Sequence, residues 1–305
     1  MSREHRSLSF GSPATKRFVV GCARFAIGLA VVLALSEVAL ARYNAHSWGY
    51  RLIGREVFQA LRVAERVEGQ IHTLYLGDSV ARQLFPSNYE LDGVRSLTTN
   101  QAISVAGQYY LLREALATHR AVREVVLFYQ PRSFENNLDQ VFTEDYYFGY
   151  FHHVDQVFDT FAVTRSWPLL LAHSRRAMLP NLSAMNSWFN QSGSAVEEGE
   201  DPNAPLTGPI VVSHVSRHFL SLMHQLAGRA GIRLRVLPVP VSDQFHYFDT
   251  TGIYDAPILY LPRAMFRRDT IHVQREQIDT ARQALTRHLA LAEHARDDTS
   301  SLPVN

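Results

Sequence analysis

Two short strings, far apart in the chain, carry residue types suited to acyl chemistry. Gly77-Asp78-Ser79 follows directly on the β-rich run His72-Thr-Leu-Tyr-Leu76, and Asp269-Thr-Ile-His272 stands near the other end, just before a C-terminal helical pattern. A serine hydroxyl is a weak nucleophile until a base takes its proton. Histidine supplies such a base. A carboxylate three residues before it can bond one ring nitrogen from the same loop, fixing the tautomer and stabilising the imidazolium, while the other nitrogen faces the serine. Each string also has a plainer reading: Ser79 as the cap of a strand-to-helix turn, Asp269 as a helix N-cap and His272 as an exposed histidine. The joint placement favours chemistry, because the serine follows the first strand and the Asp-x-x-His precedes the last helix.

Other polar groups make weaker cases. His152-His153 with Asp155 could be metal ligands, but adjacent histidines on a helix point in different directions and no partner at i+4 completes a set. No metal or cofactor is therefore assigned. The aromatic stretch Tyr146 to Phe151 is either a sugar-stacking platform or packing of an insertion onto the core, and packing is the commoner fate of such rings. Ser213-His214 and His218 read as solvent-facing positions of an amphipathic helix. The acidic run around Glu197 reads as a solvated loop. Asn181-Leu-Ser183 and Asn190-Gln-Ser192 match the glycosylation sequon, a motif too common to use by itself.

The elements that must position Ser79 and His272 alternate. Short strands are expected at His72–Leu76, Ser96–Ser104, Glu124–Tyr129 and Arg233–Leu237. Helical spacing appears over Gly107–Thr118, over Val215–Ala230 and around Ile278, Ala281, Leu285 and Leu289. Alternation of this kind implies an α/β fold with a mostly parallel sheet and helices on both faces, and sites in such sheets lie beyond the carboxyl ends of the strands. Between Arg132 and Pro209 the pattern breaks, so residues 132–209 read as an insertion, helical first and a loose loop later. The chain of 305 residues, 46% hydrophobic and 19% charged, can bury a substantial core, which excludes disorder as the main plan. The net charge of +1 gives no basic excess for nucleic acid, and a single cysteine, Cys22, excludes an intrachain disulfide and a cysteine zinc cluster.

The N-terminal end is different. Phe18 to Ala41 is apolar apart from Arg24 and Glu37, and as a helix it is long enough to cross a hydrocarbon core of about 30 Å. Arg3, Arg6, Lys16 and Arg17 precede it, so the positive-inside rule keeps the N-terminus in the cytoplasm and sends the rest across. An uncleaved signal anchor is the favoured reading. A cleaved signal peptide, ending at the small-x-small string Ala39-Leu40-Ala41, and a buried helix of a soluble protein are the alternatives. The expected organisation is a cytoplasmic arm (1–17), a membrane anchor (18–41), a juxtamembrane stalk ending in a helix (42–70), the α/β domain (71–296) and a flexible tail (297–305).

The strings Gly77-Asp78-Ser79 and Asp269-Thr-Ile-His272, in this order around an alternating α/β pattern, resemble the SGNH/GDSL hydrolase superfamily. The resemblance covers roughly Leu74 to Leu289 and implies a three-layer, flavodoxin-like α/β sandwich. Ser79 is then the nucleophile, His272 the general base and Asp269 its orienting partner. The family's oxyanion donors carry over to the backbone N–H of Ser79 and to Gly107, in the string Ser104-Val-Ala-Gly107. Where the family has Gly-x-Asn-Asp, this chain reads Tyr129-Gln130-Pro131-Arg132, and Gln130 offers an amide from a similar place. Behind a membrane anchor, the resemblance implies a serine acyl esterase or O-acyltransferase of the cell envelope, outside the cytoplasm. Its substrate would be an acylated small molecule or polysaccharide, with a membrane protein of an acylation system as a possible partner. The departure from the third block motivates a second reading, a catalytically inactive glycan-binding or scaffold protein.

Overall fold

The architecture follows from a few apolar strands that alternate their side chains between two cores. A computed structural model describes residues 13–43, 54–67, 69–89, 91–140, 142–179 and 207–300. Its centre is a four-stranded, wholly parallel sheet built from β1 (Thr73–Gly77), β2 (Val94–Ser96), β3 (Glu124–Tyr129) and β5 (Arg233–Pro238), in the order β2-β1-β3-β5. A further short strand, β4 (Thr207–Pro209), precedes β5 in the chain and lies outside this sheet. The chain moves one way from β1 to β2 and the other way to β3. The gap beyond the carboxyl ends of β1 and β3 is therefore the switch point, where open α/β sheets place their sites.

Alternate residues of these strands face opposite sides. Leu74 and Leu76 join Val125, Leu127 and Tyr129 in one buried cluster, whereas Val126 and Phe128 lie in a second. The first cluster takes in α2 (Arg55–Glu65) through Val57, Ala60 and Ala64. It also takes in α4 (Ser104–Thr118) through Tyr110, Leu111 and Ala115. The helix that follows β4, His214–Arg229, joins it through Val215, Phe219 and Met223. The second takes in α3 (Ser79–Leu84) through Val80, Ala81 and Leu84, and the last helix, Ile278–Ser300, through Ala281 and Leu285. Each large side chain so removed from water contributes about 1.5–3 kcal/mol.

The segment expected to be an insertion joins the first cluster. A π-helical turn, Glu144–Phe148, is followed by α5 (Val154–Thr164) and α6 (Trp167–Met178). Tyr147, Phe148 and Phe151 are fully buried, and the Tyr147 ring lies against Tyr110 and His173. These rings are packing, as the commoner of their two readings has it. Numbering resumes with α7 for His214–Arg229, then β6 (Val241–Ser242), β7 (His246–Phe248), β8 (Tyr260–Leu261) and α8 for Ile278–Ser300; β4 pairs with β7 and β6 with β8.

Several boundaries differ from those expected. The second strand is Val94–Ser96, and the Ser96–Ser104 stretch instead continues into a 3-10 turn over Gln101–Ile103. The helix expected to end a stalk at 42–70 is α2, and its buried alanines place it in the core. The last helix continues to Ser300, past position 297 where a tail was expected, because nothing in Asp297-Asp298-Thr299 breaks a helix. Ser213 is buried as the cap of α7, bonding the Ser216 N–H at 3.0 Å, rather than facing solvent. The two sequons and the acidic run around Glu197 lie outside the described residues.

At the N-terminal end, α1 (Pro13–Tyr43) is the one helix among the described residues long and apolar enough to cross a membrane, over Thr15–Arg42. Phe18, Phe25 and Leu35 stand out from it, largely exposed.

Candidate active site

The turn after β1 is shaped by Gly77. A Cβ there would lie 2.3 Å from the Phe128 carbonyl oxygen and 2.5 Å from the Ala81 Cβ, so any side chain would force β1 and β3 apart. The Gln108 side chain holds both faces of this residue: the Gly77 N–H donates to Gln108 Oε1 at 3.2 Å, and Gln108 Nε2 donates to the Gly77 carbonyl at 2.9 Å.

Asp78 then caps α3. Its Oδ1 accepts the N–H groups of Val80 (3.1 Å) and Ala81 (3.2 Å), and its Oδ2 accepts the Gln130 N–H (2.7 Å) and the Ser133 hydroxyl (2.8 Å). One buried carboxylate thereby ties the end of β1 to the loop after β3. Burial pushes its carboxyl above the usual range, while these four donors pull the other way.

Ser79 is the first residue of α3 and is nearly buried. Its hydroxyl lies 2.9 Å from His272 Nε2, and His272 Nδ1 lies 2.8 Å from Asp269 Oδ2. Asp269 Oδ1 accepts the backbone N–H groups of Ile271 (3.0 Å) and His272 (2.9 Å). Partial burial pushes the Asp269 carboxyl up, but the imidazole and these backbone donors hold it down at about 2, so it is ionised at neutral pH. Thr270, between them, sits at φ 59°, and its N–H donates to the Arg267 carbonyl at 3.0 Å; this left-handed turn folds the Asp269 carboxylate back over its own loop. For a β-branched residue such a φ costs on the order of 1–3 kcal/mol.

Residues 266–273 form a closed loop. Phe266 and Val273 bridge its base, both buried in the cluster that contains α3 and α8, and the Arg267 N–H donates to the His272 carbonyl at 2.7 Å. The loop is fastened to α3 by Gln83, four residues after Ser79 on the same helix. Its Oε1 accepts the Val273 N–H (3.0 Å), and its Nε2 donates to the Val273 carbonyl (3.4 Å). The serine and the histidine are thus set by one helix and one clamp.

The remaining predicted donors fare differently. The first-turn N–H groups of α3 at Val80 and Ala81 are taken by Asp78, and that of Arg82 by the Asp78 carbonyl at 2.9 Å, while the Ser79 N–H makes no hydrogen bond among the described residues. Gly107 closes the first turn of α4, buried, where a Cβ would come within 2.6 Å of the Ile103 Cβ. Its lack of a side chain is required by the close packing of Ile103 against it. In this segment the unusual backbone belongs to Ser104, at φ 53°. Gln130 follows β3, and counting on from the pairing of Gly77 with Phe128 brings it level with Ser79. Its backbone N–H is committed to Asp78, and its buried side chain makes no hydrogen bond among the described residues. Gln83, Gln108 and Ser133 were not foreseen. Of the three, only Gln108 leaves a trace in the sequence, a polar residue on the apolar face of α4.

His152, His153 and Asp155 do not converge. The His153 backbone N–H donates to the Gln156 side chain at 2.9 Å in the cap of α5, and Asp155 pairs with Arg113 at 2.8 Å. Among the described residues no cluster of three or more His, Cys, Asp or Glu could hold a metal ion.

Compared with protein-family models, with curated proteins and with solved structures, the chain gives no match.

Proposed function

We propose that this chain is a membrane-anchored serine acyl esterase or O-acyltransferase of SGNH type, its three-layer α/β sandwich held outside the cytoplasm by α1. The observation that carries the reading is the row Ser79 Oγ, His272 and Asp269, with contacts of 2.9 and 2.8 Å, at the switch point of a parallel sheet. Arg3 and Arg6, with Lys16 and Arg17 in the first turns of α1, orient the helix with residues 1–17 in the cytoplasm.

In this reading His272 Nε2 takes the Ser79 proton as Oγ bonds to the carbonyl carbon of an acyl ester. The resulting oxyanion meets the Ser79 N–H; losing one such donor typically costs about 3 kcal/mol. Collapse expels the alcohol, which takes its proton from His272, and leaves an ester on Ser79. A second hydroxyl, from water or from an envelope polysaccharide, gives its proton to His272 as it attacks that ester, and the Ser79 oxygen then leaves with the proton that His272 holds, restoring both groups. Asp269 stays ionised throughout and stabilises the imidazolium. No metal or cofactor takes part.

The test is labelling of the full chain with a fluorophosphonate, coupled to an assay of acyl transfer from p-nitrophenyl acetate to water and to polysaccharide. Wild type is labelled at Ser79 and Ser79→Ala is not. An unlabelled, folded wild type that also transfers no acyl group overturns the proposal. That result would favour a catalytically inactive glycan-binding or scaffold protein, a reading supported by Tyr129-Gln130-Pro131-Arg132 standing where the family has Gly-x-Asn-Asp.

A further inference from the structure

The hairpin of α5 and α6 carries an apolar face with no counterpart among the described residues. Val157, Thr160 and Val163 of α5, and His173 and Arg176 of α6, are buried on its inner side. On the outer side stand Phe158 (62% exposed), Trp167 (66%), Leu171 (69%) and Met178 (71%), with Val154 beside them. At 3.6 residues per turn, positions 167, 171 and 178 fall within about 40° of one another, a single stripe along α6. Phe161 packs against Trp167 with ring centroids 4.9 Å apart and joins this stripe to that of α5. The neighbouring charges turn away: Asp155 to Arg113 (2.8 Å), Asp159 to the Tyr110 hydroxyl (3.3 Å) and Arg175 to Glu144 (2.6 Å). Arg165, exposed at the tip of the hairpin, makes no ion pair among the described residues.

The root of this hairpin lies beside the far end of α1. Most of α1 is exposed, but Leu33, Ser36, Glu37 and Leu40 are half-buried and share one face. The Glu37 carboxylate acts through space on the imidazole of His152, two residues before α5 begins. The apolar stripe therefore starts where α1 leaves the hydrocarbon, and α5 extends only about 16 Å from there. An uncharged Trp, Phe, Leu and Met face with a free arginine at its tip has the composition of a segment that beds in the interfacial layer, the cation meeting lipid phosphate.

We propose that the outer face of the α5–α6 hairpin is a second membrane contact, lying on the same leaflet from which α1 emerges and holding the domain against the bilayer surface. This rests on the reading that α1 spans the membrane. It is tested on the full chain reconstituted into phosphatidylcholine–phosphatidylglycerol vesicles carrying bromine at shallow or at deep acyl positions. The contribution of Trp167 is the difference between wild type and Trp167→Phe, which leaves Trp48 and Trp188 in place. Its emission is expected to be quenched, more by shallow than by deep bromine. In Phe158→Glu/Leu171→Glu it is expected to lose the quenching and shift to the red, while flotation and the far-ultraviolet dichroism stay as in wild type. A chain that floats with its vesicles but leaves Trp167 unquenched overturns this inference alone and marks the face for a protein partner instead. A chain that does not float overturns the spanning reading, and this inference with it.

Discussion

Gln83 holds Val273 by both polar groups of its backbone, accepting its N–H at 3.0 Å and donating to its carbonyl at 3.4 Å. Because Gln83 shares α3 with Ser79 and Val273 adjoins His272, this clamp fixes the distance between the Ser79 hydroxyl and the His272 imidazole. Removing it in Gln83→Ala leaves all three reacting groups intact but lets the 266–273 loop drift. A displacement near 1 Å costs up to about 100-fold in rate. The loss is expected in kcat with KM little changed, and Gln83→Glu, which keeps the acceptor for the Val273 N–H, should recover part of it. A Gln83→Ala variant with wild-type kcat on p-nitrophenyl acetate would show that the loop needs no clamp.

Asp269→Asn keeps the shape of the loop and removes the charge. An asparagine amide facing Nδ1 favours the wrong tautomer of His272, and the expected fall in kcat is on the order of 10⁴-fold. The same carboxylate ties stability to pH. Its folded pKa, about 2, lies below the unfolded value near 3.9, so the native state is favoured above the unfolded value and loses that advantage as pH falls through the folded one. The stability gap between wild type and Asp269→Asn, read by urea unfolding, should hold constant above about pH 5 and narrow between about pH 4 and pH 2. A gap independent of pH down to 2 would mean that Asp269 is not held ionised by its loop.

How far the sequence leads can be judged from particular residues. Glu124–Tyr129 is an apolar run next to helical patterns, and burial on both faces is what such a run specifies. Val94-Arg95-Ser96 carries almost no signal, being three half-polar residues whose place in the sheet is set by pairing with β1. The buried face of α2 is largely alanine, which tight packing against α4 requires but which reads from sequence as weakly apolar. Ser79, Asp269 and His272 were legible because their types and order are constrained by the proposed chemistry. The Gln83 clamp was not, since an amide bonding a backbone 190 residues away leaves no local pattern. Gly107 is a related case: a glycine in sequence does not say whether its missing side chain serves a backbone donor or a neighbour, and here a Cβ would meet Ile103.

Asp78 has a structural task that separates it from its neighbour Ser79. Four donors converge on its carboxylate, and in Asp78→Asn the amide nitrogen would replace one acceptor oxygen. The Gln130 N–H, or the capping N–H groups of Val80 and Ala81, would be left without a partner. Each buried group so stranded costs about 1–3 kcal/mol. Thermal melts should show a clear loss of stability in Asp78→Asn, whereas Ser79→Ala, which removes one hydroxyl bonded to the half-exposed His272 ring, should melt close to wild type. Equal melting of the two variants would show that the tie between β1 and the Gln130 loop contributes little.

The buried ion pair of the 132–209 segment offers the sharpest test of whether that segment is an appendage or part of the core. Arg176 is 1% exposed, and its guanidinium meets Asp145 at 2.7 Å, joining α6 to the π-helical turn whose Tyr147 and Phe148 fill the first cluster. Deleting one partner of a buried pair leaves the other charge desolvated and costs about 3–5 kcal/mol, whereas replacing the cation by an apolar side chain of similar length removes the charge together with its need for a partner. Asp145→Ala should therefore destabilise the whole α/β domain in one cooperative urea transition, and by more than Arg176→Met does. The double variant Asp145→Ala/Arg176→Met should recover part of the loss. Were the segment an independent appendage, Asp145→Ala would leave the main transition in place and add an earlier, smaller one.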